Sequence, residues 1–286
     1  MIQKRWLVLF FFIMAGVLAA QAPQSSWKSS TSASKKRLEL FHSTQSINMP
    51  TAETMQKGEM LFEIAHRFFP PINENDSFFG LDGPANMRLG LGYALSNRTV
   101  ITLARSNVNG NVDLQLKQKL LQLNSEVLPM LIALQAGSGW NTKIAGREKS
   151  DGKNFQYYGQ LVVNSMIFNK KLGIGIIPTY LYNSDVFSFD NQTLLTLGSY
   201  LQYYVSPFLS VLAEWNPTVA GSPDRYNAMS LGLELETGGH FFKIILTNSA
   251  LLNPSQFNGG ADLRFASGDW RLGFNITRLL KFSRAR

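Results

Sequence analysis

"ANMRLGLGYALSNRTVITLARS", residues 85–106, decides the fold. Met87, Leu89, Leu91 and Tyr93 alternate with Arg88, Gly90, Gly92 and Ala94, so one face is apolar and the other small or charged. Alternation at period two is the mark of a strand, because successive side chains point to opposite faces; wound as a helix, the same run would scatter its polar residues over every face. A short polar turn follows at Ser96–Asn97, and a second alternating run begins at once. Such a hairpin suits either a soluble sandwich or the wall of a membrane pore.

The pattern recurs. Strand-like runs fall near residues 59–69, 85–95, 98–106, 110–121, 127–137, 155–168, 171–183, 192–205, 207–217, 226–237, 240–249 and 269–281. Most have the length a tilted strand needs to cross a bilayer. In the fourth run Val112, Leu114, Leu116 and Leu120 oppose Asp113, Gln115, Lys117 and Lys119; in the tenth, Met229, Leu231, Leu233 and Leu235 oppose Ser230, Gly232, Glu234 and Glu236. The connections separate pore from sandwich. "SN", "NK", "SP", "TGG" and the slightly longer "LNSE" alternate with mostly longer stretches such as "PPINENDSFFGLDGP" and "LLNPSQFNGGADLRFASG". Tight turns at one end and large loops at the other are the habit of outer-membrane barrels. The expectation is an all-β, antiparallel up-and-down transmembrane β-barrel of about twelve strands, with ten or fourteen as the next choices. Residues 70–84, 138–154 and 250–268 would face outside, with both termini and the turn at Asn97 on the periplasmic side. Tyr93, Tyr203, Tyr204, Phe208 and Trp215 would form interfacial girdles.

Composition agrees. Charged residues are 16% of the 286, below the soluble norm of about 25%, while 23 Gly, 20 Phe and 9 Tyr are high counts. The net charge of +8 can attract anionic lipid or solutes, but the basic residues form no stripe, so nucleic acid is not an expected partner. With no Cys there are no disulfides, no Cys-based metal site and no lipoprotein anchor. "MIQKR" followed by "WLVLFFFIMAGVLAA" and "AAQA" reads as a secretory leader, since about 15 apolar residues fall short of a bilayer span. The expected organisation is a signal peptide over 1–22, a flexible Ser-rich periplasmic arm over 23–57, and the barrel over 58–286.

Alternation turns Glu63, Arg67, Arg88, Asp113, Lys117, Lys119, Glu214, Glu234, Glu236, Lys243 and Arg271 inward. The lumen-lining candidates are therefore Arg88, Asp113, Lys117, Lys119, Glu234, Glu236, Lys243 and Arg271. They describe either a path for small polar or anionic solutes, or ion pairs that fill the lumen; the eleven inward groups, six basic and five acidic, are near balance and suit the second. His66, Arg67 and Asp82, near Arg88, are extracellular rim candidates, though a loop tied down by an Asp–Arg contact explains them as well. No catalytic, cofactor or metal site is expected. His42, His66 and His240 are far apart, no G-x-S-x-G is present, and "GLGYAL" and "GIGII" lack a full nucleotide fingerprint. Strand glycines instead let side chains or a plug come close.

"SINMPTAETMQKGEMLFEIAHRF", "FFGLDGPANMRLGLGYALSNRTVITLARS" and "LKQKLLQ" resemble an uncharacterised family of outer-membrane β-barrel proteins from Bacteroidota, a domain of unknown function. The resemblance runs from Ile47 to Leu121 and rests on "HRF" and "GLDG"; beyond that only the strand pattern is shared. It implies a bacterial outer-membrane location and lipid contact, with no substrate or catalytic residue to carry over. Phe282 lies four residues before the end, a departure from common barrels, in which a terminal aromatic is usual. The expected function is porin-like passage of small solutes. The alternatives are a structural or partner-binding barrel with a sealed lumen, holding a periplasmic or membrane protein, and an outer-membrane lipid hydrolase should a serine pack beside His66.

Overall fold

The computed structural model describes residues 38–74, 78–221 and 225–281. The leader, the first part of the expected arm and Phe282 lie outside them. Twelve antiparallel strands follow one another around a closed wall: β1 (Met60–Phe68), β2 (Ala85–Ser96), β3 (Thr99–Ser106), β4 (Asn111–Leu123), β5 (Met130–Asn141), β6 (Phe155–Ile167), β7 (Leu172–Tyr182), β8 (Thr193–Ser206), β9 (Leu209–Asn216), β10 (Ala228–Thr237), β11 (His240–Thr247) and β12 (Arg271–Leu280). A short extension of β9, Thr218–Ala220, also pairs with β8. Each strand pairs with its sequence neighbours, and β1 closes the ring by pairing with both β2 and β12. Closure leaves no open edge, which a sheet in lipid requires because unpaired amides there cost several kcal/mol each.

The faces follow the alternation. Asp113, Gln115, Lys117 and Lys119 of β4 are buried, whereas Leu114, Leu116 and Leu120 are about half exposed on the outside. On β10, Ser230 and Glu234 are buried and Leu231, Leu233 and Leu235 exposed. Tyr93, Tyr203, Phe208 and Trp215 stand outward. Tyr204, expected beside them, departs: next to an irregularity in the β8–β9 pairing, its hydroxyl accepts a 3.4 Å hydrogen bond from the His42 amide. The β10–β11 turn needs two left-handed residues, and Gly238 and Gly239 supply them at φ 58° and 92°.

Two segments outside the strands lie within the wall. Of the expected flexible arm over 23–57, the stretch between Leu38 and Met55 packs in the lumen, with Leu40, Phe41, Ile47, Met49, Ala52 and Met55 buried, and Gln56 and Lys57 are exposed in a turn. Of the expected external loop over 250–268, the first part, 250–261, turns inward, while 262–268 stay at the surface. Residues 248–261 are buried and include a four-residue helix, Pro254–Phe257. One apolar cluster joins wall residues Leu131, Val162 and Ile177 to Leu40, Phe41 and Met49 from the first segment and Phe257 from the second. A bore of this size is too wide for wall side chains alone to fill, so the chain supplies filling from both ends.

Candidate functional site

The lumen wall holds the N-terminal segment by its main chain. Residues 44–51 form a tight reversal in which Thr51 N donates to Thr44 O at 3.1 Å and Ser46 N to Met49 O at 2.8 Å. At its tip the amides of Ile47, Asn48 and Met49 converge on one Glu214 oxygen at 2.7, 3.0 and 3.1 Å. Successive N–H groups closing on one anion make a nest, here filled by a wall carboxylate. On the other side, Lys117 Nζ donates to Thr44 O at 2.8 Å and Thr51 O at 3.0 Å. Lys243 Nζ donates to Gln45 O at 2.7 Å and also to Ser46 O. Asn164 Oδ1 accepts from Ala52 N at 2.6 Å, and Asn275 Nδ2 donates to Ile47 O at 2.8 Å.

Side chains add selectivity. Arg67 donates to Asn48 Oδ1 at 2.8 Å, and Asn48 Nδ2 donates to Glu214 and to Ser230. Ile47 packs against Leu212 and Ile245. Lys119 pairs with Glu53 of the segment at 3.3 Å. Gly173 makes room for Phe41, since a Cβ there would lie 2.4 Å from its ring. This is the close approach that strand glycines in "GIGII" allow.

The second inward segment is held differently. Arg88 binds Glu63 on the wall and donates from Nε to Asn253 Oδ1 at 2.8 Å, while Asn253 Nδ2 reaches Asn111 Oδ1 at 2.6 Å. Arg271 grips Asp262 with two hydrogen bonds, at 2.9 and 2.7 Å, and lies 5.0 Å from the Phe69 ring centre. Between the two segments and the wall, beside Glu63, Arg88, Gln115 and Lys117, remains a cavity of about 40 Å³. That is room for a few waters.

Among the lumen-lining candidates, Arg88, Asp113, Lys117, Lys119, Glu234, Lys243 and Arg271 are buried inside the barrel. Two wall ion pairs form as the strand pattern suggests, Arg88 with Glu63 and Lys243 with Glu234, but the two β4 lysines depart from it. Lys117 and Lys119 reach the N-terminal segment rather than wall carboxylates; Asp113 accepts from Tyr158 and Gln115; Glu234 is met by Lys243 and Gln202. Glu236 sits instead at the short-turn mouth, against His42 at 2.5 Å. The rim group does not assemble. Arg67 points inward to Asn48, Asp82 is exposed on its loop, and His66 lies on the outer face, stacked on Phe274 at 4.6 Å. Met87 and Phe274 stand opposite His66, where a hydrolase would need its serine. Sequence reasoning missed Glu214's role as holder of the segment, and it missed Asn48, Asn164, Asn253 and Asn275 altogether. The stretch "STQSINMPTAE" is aperiodic and carries no local signal of that burial. No cluster of metal-binding side chains occurs, and no helix is long and apolar enough to span a membrane, among the described residues.

The chain belongs to the family described as the membrane bound beta barrel domain (DUF5777), whose model matches residues 41–280. The match begins inside the N-terminal segment, so the lumenal filling is part of the domain. No curated protein matches the chain. Solved structures similar to it include the NanC porin, with a TM-score of 0.47 at 9% identity, covering 78% of this chain and 100% of that one. The outer membrane phospholipase A from Escherichia coli has a TM-score of 0.39 at 11% identity, covering 79% and 92%. LpxR from Salmonella typhimurium has 0.37 at 9%, covering 78% and 100%. Identities this low assign no activity.

Proposed function

We propose that this membrane-bound barrel resides in the bacterial outer membrane and offers a porin-like passage for small polar or anionic solutes, closed in the described state by its own N-terminal segment. The leader over 1–22 would deliver it, and the short turns would face the periplasm. One observation carries the reading: a charged wall surrounds a filling whose N-terminal part is held by many polar contacts to its main chain. For a permanently sealed core, apolar residues of the same volume are often as stable or better, because each buried ion costs several kcal/mol of desolvation. A polar wall suits a lumen that becomes wet.

The second reading, a sealed structural or partner-holding barrel, draws on the 40 Å³ cavity, too small for a continuous water path. Planar-bilayer conductance separates the two. The complete protein should conduct rarely, and a variant lacking residues 38–57 should show stable single-channel steps. A variant that keeps its barrel, by strand content and gel mobility on heating, yet never conducts would leave the sealed barrel.

A further inference from the structure

We propose that the lumen wall is a receptor for a peptide turn carrying Ile-Asn at its tip, and that it will take such a turn supplied by another chain once its own segment has left. The inference rests on the reading that the segment can leave.

Its basis is what the wall recognises. Lys117 and Lys243 bind four carbonyls of residues 44–51, Glu214 binds three consecutive amides, and Asn164 and Asn275 bind one main-chain group each. These are contacts that any chain in this reversal can make, and they fix its conformation rather than its sequence. They also match it in polarity: cations face the carbonyl edge and the anion faces the amide nest, so an opposite threading would set Glu214 against carbonyls. Sequence is read at two places. Asn48 is held through both ends of its amide, by Arg67 and by Glu214 with Ser230. Ile47 fills the pocket of Leu212 and Ile245, and Gly232 opposite leaves its Cδ1 only 3.0 Å from where a Cβ would stand. Packing needed merely to plug a bore does not require such a set. Passage of solutes requires a polar wall, but it does not require donors and acceptors spaced at the interval of a polypeptide backbone.

The segment joins β1 through a turn in which Gln56 and Lys57 are exposed, so it can be severed after folding. A protease site inserted between Lys57 and Gly58 of the complete chain would be cut in the refolded barrel, and a fluorescent synthetic peptide of residues 40–55 added. The expected result is saturable one-to-one uptake with displacement of the severed segment. Affinity should fall at least tenfold for an Asn48→Ala or Ile47→Ala peptide, and at least tenfold for the wild-type peptide on a Glu214→Gln barrel. Equal uptake of a scrambled peptide would overturn the proposal. So would a severed segment that never exchanges, since a site closed to other chains is no receptor. A barrel produced without residues 38–57 and refolded with the peptide gives an independent measurement, with the same outcomes. Conductance of the cut barrel keeps the two readings apart. Current that the peptide does not block, with no uptake, leaves the passage standing and removes the receptor; specific uptake without any current after the segment is displaced removes the passage and leaves the receptor.

Discussion

The two inward segments fill the same lumen but are held by opposite chemistry. Residues 38–55 are grasped by wall side chains that bind their main chain, and at their C-terminal side they run into β1 through a short turn. Residues 248–261 are anchored at both ends by β11 and β12 and fixed by side-chain contacts of Asn253 with Arg88 and Asn111 and of Asn258 with Asn216, together with a main-chain bridge between Tyr226 and Ala261. A loop tied at both ends has little freedom to gain by leaving. A segment that is not closed between two neighbouring strands regains chain entropy on leaving, at roughly 1–2 kcal/mol per released residue, and must be held by many strong contacts. The comparison separates a fixed cap from a detachable plug.

Arg88→Ala should break the cap side hardest. It leaves Glu63 buried without its cation and removes the donor to Asn253, a loss of about 3–5 kcal/mol for a broken buried pair. The expected result is a lower unfolding midpoint in urea for the whole barrel. A midpoint unchanged from wild type would show that the cap is as loosely held as the plug.

Glu214→Ala should act on the plug alone. Its three amides lose a charged acceptor, and one such hydrogen bond is worth roughly 1.5–3 kcal/mol. Proteolysis within 38–55 should accelerate by at least tenfold while the strands stay protected. Equal acceleration within 248–261 would dissolve the distinction.

Gly173→Val sharpens it sterically. A Cβ 2.4 Å from the Phe41 ring must displace that ring, at about 1–3 kcal/mol for overpacking. Faster amide exchange in residues 38–49, with exchange in 248–261 unchanged, is the expected pattern.

The smallest effect belongs to the strap beyond the cap. Asp269 accepts from Ser267 at 2.6 Å and from Asn73 at 3.0 Å, and these hydrogen bonds hold its carboxyl below the ordinary value. A depressed folded pKa contributes above the unfolded one and is lost as pH falls through the folded value. Acid should therefore loosen residues 265–270 slightly, and Asp269→Asn should remove that pH dependence without shifting the unfolding midpoint at neutral pH. A shift of the barrel's own midpoint would mean that the strap carries the cap.

The sequence by itself determined the wall. Strand number, the inward set around Asp113, Lys117 and Glu234, and the placing of tight turns all follow from period-two alternation and local turn chemistry, which depend on residues a few positions apart. What fills the wall was decided only by tertiary structure. "STQSINMPTAE" has no periodicity, so nothing local distinguishes a solvated arm from a buried turn. Its fate is set by partners far along the chain: Lys117, 73 residues from Thr44; Glu214, 167 from Ile47; Asn275, 228 from Ile47. The same holds for the lumen charges. Alternation says which way Lys117 and Lys119 point, but whether a buried cation meets a carboxylate, a carbonyl or water depends on which strand or segment closure brings opposite it. Closure of the barrel placed the N-terminal segment there.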